Sequence, residues 1–382
     1  MNKIIFGKPS FSKLEQKRIT DVMSSGWVGT GSIAKQFEQN FVKYKKAKYG
    51  IALNSCTSAL QLALILSNVG KGDEVIVTSL TFCSTVNTIV NIGAKPILVD
   101  INLNDFQINE NFIENKITKK TKAILVVHMH GYPCNMQKIM KIKEKYSLKL
   151  IEDCAHAIET KFNDKHVGTF GEFGCFSFYS TKNITTVEGG FLICKNKENE
   201  QRGKILSLHG MTKDAYKRFS KNKYIHYDVN ETGYKFNMPD INAILGIEQL
   251  RNINKKYNVR KKIWDQYQKA FKNTKFILPP SIPLNIKHAY HIYSLRIEDH
   301  YNLSRDQIMD KLHKMGIGTG LHYKAISDLH FYKKSNFINK CDKASIFGKT
   351  SFSIPLTPYL TNSEVKRIVN AILNINKLLK KK

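Results

Sequence analysis

Short, nearly continuous apolar runs rich in β-branched residues recur through the first half of the chain, and stretches with helical spacing lie between them. Residues 49–55 (YGIALNS) read as a strand, and 57–69 (TSALQLALILSNV) as the helix that follows. Further strands are predicted at 73–82, 94–101, 123–131, 148–155, 174–180 and 189–195, with a helix at 135–146. Strands that are apolar at successive positions, rather than at alternate ones, are buried on both faces. Alternation with helices therefore predicts an α/β fold around a mostly parallel sheet. Such sheets place ligands at the carboxyl ends of their strands.

Beyond residue 250 the pattern changes. Residues 239–271 carry helical spacing with few breakers, and the proline-rich segment 277–285 ends it. A strand (HIYSLRI) and two helical stretches (SRDQIMDKLHKMG and TNSEVKRIVNAILNINKLL) follow. The expected organisation is a large domain over 1–250 and a smaller α+β domain over 251–382. A chain of 382 residues is long enough for both.

Composition narrows the class. Seven cysteines are scattered without a C-x-x-C pair, which argues against a disulfide framework or a metal site and for a reducing, cytoplasmic setting. The amino terminus lacks the pattern of a signal peptide, and no apolar run approaches the roughly 18 residues a membrane helix needs. The formal net charge is +29. Its basic residues are spread along the chain, in runs such as KRFSKNK and NKKYNVRKK, alongside abundant Ile and Asn. No zinc-finger, RNA-binding or helix-turn-helix signature accompanies them, so neither nucleic acid nor membrane is the expected partner. A positive field instead favours anionic small molecules.

Polar residues collect just after the strands. The turn NSCTSAL (54–60) enters a helix, where free backbone N–H groups and the helix dipole suit a phosphate, although Ser and Thr are also ordinary helix caps. Asp153 ends a buried strand, with His156 three residues on; a carboxylate there is costly unless it meets a cation. Lys182, in SFYSTKNITTVEGG (177–190), follows another strand. Taken singly, these residues read as a cap, a bystander and a solvated lysine. Together they match the needs of pyridoxal phosphate: a phosphate cradle, a carboxylate for the ring nitrogen and an amine for the Schiff base. Phe82, at the end of the strand at 73–82, is available to cover the ring.

These segments resemble the DegT/DnrJ/EryC1/StrS sugar aminotransferases, which have the aspartate aminotransferase fold, fold type I. The resemblance spans nearly the whole chain, through SGWVGTG, NSCTSALQLAL, TSLTFCSTVN, VVHMHGYPCNM, IEDCAHAIE, FGCFSFYSTKNITTVEGG, LSLHGM, TGYKFNMPDINAILG, GIGTGLHY and SIPLTPYLT. It implies a seven-stranded, mostly parallel sheet in the large domain. It implies that Lys182 forms the Schiff base and shuttles the proton, and that Asp153 pairs with the ring nitrogen. His156 would lie near the ring oxygen, Phe82 would stack on the ring, and Thr57, Ser58 and Ser177 would contact the phosphate. Lys235, in GYKFNM, stands where the neighbouring subunit usually supplies Asn, which implies a homodimer with shared sites. Trp27, His209, His322 and Tyr323 are implied substrate contacts.

Cys56 stands where many members carry Gly, and His130 where Tyr is frequent. Relatives that act as dehydratases replace the Schiff-base lysine with His; Lys182 therefore favours amino transfer. The implied reaction moves an amino group from L-glutamate to a nucleotide-linked keto-deoxysugar, a 4-keto-6-deoxy hexose before a 3-keto one, for surface glycans. A non-catalytic sugar-sensing regulator is the remote alternative, which the Lys182–Asp153 combination disfavours.

Overall fold

The structure is a computed structural model that describes residues 2–212, 226–335 and 339–382; the basic run at 217–223 lies outside them. Its centre is a seven-stranded sheet in the order β1-β9-β8-β5-β4-β2-β3. The strands are β1 (Tyr49–Leu53), β2 (Glu74–Thr78), β3 (Lys95–Val99), β4 (Thr121–Val127), β5 (Lys149–Asp153), β8 (Phe173–Ser177) and β9 (Gly190–Cys194). Between β5 and β8, β6 (Lys161–Phe162) and β7 (Lys165–His166) form a small sheet with β10 (Ile286–Lys287). Neighbours from β8 through β5, β4 and β2 to β3 are parallel, whereas β9 runs antiparallel to both β8 and β1.

The strands predicted for this sheet all exist, but each stops short of its expected carboxyl end, by one residue at β9 and by two to four at the other six. The polar residues there leave the ladder to form turns.

Alternate residues of one strand enter different cores. Val75, Val77, Leu125 and Ile151 pack with helix α3 (Cys56–Leu66) and helix α4 (Cys83–Asn91). Ile76, Ile124, Val126 and Leu150 pack on the other face with Met136, Ile139 and Ile142 of helix α5 (Met136–Lys145). This two-sided cover explains the continuous apolar runs. Each fully buried aliphatic side chain contributes roughly 1.5–3 kcal/mol.

The predicted single helix over 239–271 is two helices. Asp240–Arg251 and Ile253–Phe271 meet at Asn252, whose φ of −101° and ψ of 6° leave the helical region. Asn readily takes such a conformation, because its side chain competes for backbone hydrogen bonds. The longer helix joins β11 (Tyr293–Arg296), β12 (Ser351–Ile354) and the helix Asn362–Leu378 around a core of its own, which also receives Ile4. Ala325, Ile326, Ala344 and Phe347 instead enter the core of the large sheet. Packing thus crosses residue 250 in both directions. Among the described residues, no helix is long and apolar enough to cross a membrane.

One buried carboxylate holds the turn beneath the site. Glu152 accepts backbone N–H groups from Gly168 (2.7 Å), Phe170 (2.7 Å) and Gly171 (2.9 Å). His128 accepts the Cys134 N–H at Nδ1 (3.1 Å), so its proton sits on Nε2, which donates to Glu152 (3.1 Å). Glu152→Gln turns an acceptor into a donor facing these N–H groups. It is expected to cost about 3 kcal/mol, measured as a lower urea midpoint by circular dichroism. An unchanged midpoint would contradict this reading.

Candidate active site

The carboxyl ends of β1, β2, β4, β5 and β8 and the amino end of β9 open on one cavity of about 580 Å³. Ser55, Cys56 and Thr57, from the first turn of α3, line it, as do Phe82, Asp153, His156, Ser177, Lys182, His322 and Tyr323. Ser55 caps α3 by accepting the Ser58 N–H (3.1 Å), and the N–H groups of that turn are the phosphate-type feature. Gly190 lies against this turn. A Cβ there would come within 2.2 Å of the Ser55 carbonyl carbon and 2.5 Å of the Cys56 nitrogen, so the start of β9 can approach only as glycine.

Lys182 sits in the loop joining β8 to β9, held by its backbone N–H to the Tyr179 carbonyl (2.9 Å). Desolvation lowers its amine from 10.5 to about 8, with Asp153 pulling the other way. Asp153 accepts the Ala155 N–H (3.0 Å) at one oxygen and the Thr85 hydroxyl (2.9 Å) at the other. Burial raises its carboxyl above the usual range despite these bonds. A cation placed against Asp153 would offset that desolvation, which fits a protonated ring nitrogen.

The opposite wall is a neutral histidine network. The His130 N–H donates to Nδ1 of His156 (3.3 Å), so the His156 proton is on Nε2 and is donated to the Tyr323 oxygen (3.0 Å). Burial keeps His156 well below its ordinary pKa, in this neutral form. The Tyr323 hydroxyl hydrogen is thereby left to donate into the cavity. The Tyr323 ring lies 5.6 Å from Phe82, which is 54% exposed at the cavity.

A sequence profile of the DegT/DnrJ/EryC1/StrS aminotransferase family matches residues 9–373. The chain belongs to this family. It is 35% identical over 376 residues to SpsC of Bacillus subtilis, a spore coat polysaccharide biosynthesis protein, covering 97% of both chains. Among solved structures it is similar to the Streptococcus pneumoniae protein Spr1654, assigned as a sugar aminotransferase, in its PMP form. The TM-score is 0.92, with 31% identity over 98% of this chain and 99% of that one. It is also similar to Helicobacter pylori PseC, an aminotransferase of pseudoaminic acid biosynthesis. There the TM-score is 0.91, with 27% identity over 99% of this chain and 100% of the other. Spr1654 is known in a PLP form as well. The fold is fold type I, the enzyme class is aminotransferase, and the cofactor is pyridoxal phosphate.

The residues present fit that group. When bound, pyridoxal phosphate supplies an aldehyde for an amine and a ring that accepts electrons. Lys182 would hold the aldehyde, Asp153 the ring nitrogen, and the first turn of α3 with Ser177 the phosphate.

Four of the sequence-derived candidates lie elsewhere. Ser58 is buried behind the turn, its hydroxyl donating to the Asn54 side chain (2.6 Å). Lys235 and His209 are exposed and do not line the cavity, and Trp27 lies outside it beside Gly31. Conversely, sequence reasoning missed Thr85, His291 and Arg260. Thr85 carried a signal, a hydroxyl on the apolar face of α4; the other two come from distant segments.

Schiff-base formation needs an unprotonated amine, and burial disfavours the Lys182 cation. The neutral fraction of Lys182 should therefore rise through pH 8 rather than pH 10.5. The rate at which cofactor-free protein takes up pyridoxal phosphate, followed by absorbance, is expected to have its midpoint near that pH. Lys182→Ala should abolish the spectral change. A midpoint near the ordinary lysine value would contradict the desolvated site.

Proposed function

We propose that the protein transfers an amino group from L-glutamate to a nucleotide-linked keto-deoxysugar. The preferred acceptor is a 4-keto-6-deoxy hexose, giving a 4-amino-4,6-dideoxy sugar for a surface glycan. The observation that carries this reading is the desolvated Lys182 opposite buried Asp153 in one cavity with the α3 N-terminus. SpsC, a polysaccharide biosynthesis protein, and PseC, of pseudoaminic acid biosynthesis, support a glycan role. The cytoplasm is the proposed setting, supported by seven free cysteines.

The proposed assembly is a homodimer whose subunits complete each other's sites. Lys235 and His209 are exposed and stand outside their own chain's cavity, as residues given to a neighbour would. The Lys235 backbone is anchored by its carbonyl, which accepts the Asn54 amide (3.1 Å). A cation there would balance a phosphate across the interface.

Two measurements test the proposal. A panel of 3-keto and 4-keto sugars on different nucleotides, incubated with L-glutamate and read by mass, should show amine gain on a 4-keto acceptor. Gain on none, or loss of a sugar oxygen instead, would overturn the reaction. Mixing Lys182→Ala with Lys235→Ala protein after dissociation should restore activity that neither has alone, because a mixed dimer rebuilds one intact site. Absence of recovery would contradict shared sites.

A further inference from the structure

The cavity is also lined by Lys8, Gln249, Arg260, Thr357 and Tyr359, none of which the residue roles above have used. Gln249 is held on both sides: its amide donates to Glu15 (2.6 Å) and its oxygen accepts from Lys256 (2.5 Å). Arg260 is different. It projects from the helix Ile253–Phe271, is 1% exposed, and pairs through Nη2 with Glu159, which is itself fully buried. Its Nε and Nη1 have no hydrogen-bond partner among the described residues. Two orphaned nitrogens, carrying three N–H groups on a buried guanidinium, are costly, each comparable to a lost charged hydrogen bond.

The guanidinium is also tied to the reacting amine. Glu159 accepts the side-chain amide of Asn183 (2.8 Å), the residue after Lys182. The same amide donates to the Ala289 carbonyl (3.0 Å), and the Asn183 oxygen accepts Nδ1 of His291 (2.8 Å). Asn183 is thus held from three sides. Through Glu159 it fixes where Arg260 sits relative to Lys182.

We propose that Arg260 binds a carboxylate of the amino donor through the N–H groups that Glu159 leaves free. This inference rests on the proposed reaction and adds the residue that selects the donor. A carboxylate is the fitting charge. Glu159 already neutralises the guanidinium, so a singly charged group leaves the buried trio at one net negative charge. A diphosphate would leave a larger excess in a desolvated wall. An amino acid must also bring its amine to the place that Lys182 serves, within the reach of one small molecule. A wall cation tethered through Glu159 to the residue after Lys182 meets that requirement.

Arg260→Lys is the informative variant. It keeps a cation for buried Glu159 and removes the Nε and Nη1 donors. The fold is checked by an unchanged melting temperature, with Glu159→Gln as a second variant that loosens the guanidinium. For Arg260→Lys the KM for L-glutamate should rise ~10- to 100-fold, the effect of one lost charge-assisted hydrogen bond. Calorimetric affinity for glutarate, a dicarboxylate that cannot react, should fall to the same extent. Pyridoxal phosphate uptake and the KM for the sugar acceptor should stay at wild-type values. Unchanged glutamate KM and glutarate affinity would overturn the assignment. So would an increase confined to the acceptor KM, which would place a phosphate at Arg260. If the wild-type protein moves no amine to any keto-sugar, the proposed function fails, while glutarate binding still decides the role of Arg260.

Discussion

A sheet covered on both faces leaves its polar side chains few places to go, and β5 shows the consequence most clearly. Glu152 and Asp153 are adjacent carboxylates at its end, and period-two geometry sends them to opposite faces. Glu152 is consumed by three backbone N–H groups and a histidine, which pin the turn at 168–171. Asp153 keeps only the Ala155 N–H and the Thr85 hydroxyl, so its charge is left for something in the cavity. One acid holds the fold together and its neighbour faces the chemistry. Neither could exchange roles without inverting the strand.

The same constraint shapes Lys182. In the β8–β9 loop a lysine would ordinarily reach solvent, but here the chain folds the loop over the strand ends. Gly190 lets that loop descend onto the first turn of α3. Desolvation then makes the amine a better nucleophile near neutral pH, and Asp153 limits how far its pKa falls.

The far wall comes from the second half of the chain. His322 and Tyr323 reach it from the segment after the helix Arg305–Lys314, and His291 from just before β11. Their hydrogen bonds fix tautomers: His156 donates to Tyr323, and Asn183 orients His291. Arg260 joins through Glu159 and Asn183. Lys182 is therefore braced by both halves of the molecule, and its environment responds to how the two cores pack.

The sequence by itself determined a great deal. Buried parallel strands must be continuously apolar, so their positions, and the polar turns after them, were visible in the pattern of Val, Ile and Leu. Lys182, Asp153, His156, Phe82 and Ser177 were legible as cavity residues because each lies at or just past the carboxyl end of such a run. Local rules fell short where the answer depended on distant segments. The break at Asn252 depends on two helices packing into separate cores. Only the tertiary structure turned the Ser58 hydroxyl toward Asn54 and left Lys235 outside its own cavity. Only the tertiary structure brought Arg260 and Glu159 together across 101 residues. Strand periodicity is a property of neighbours along the chain. The partner of a buried charge is set by which segments the cores bring into contact, and no local pattern encodes that.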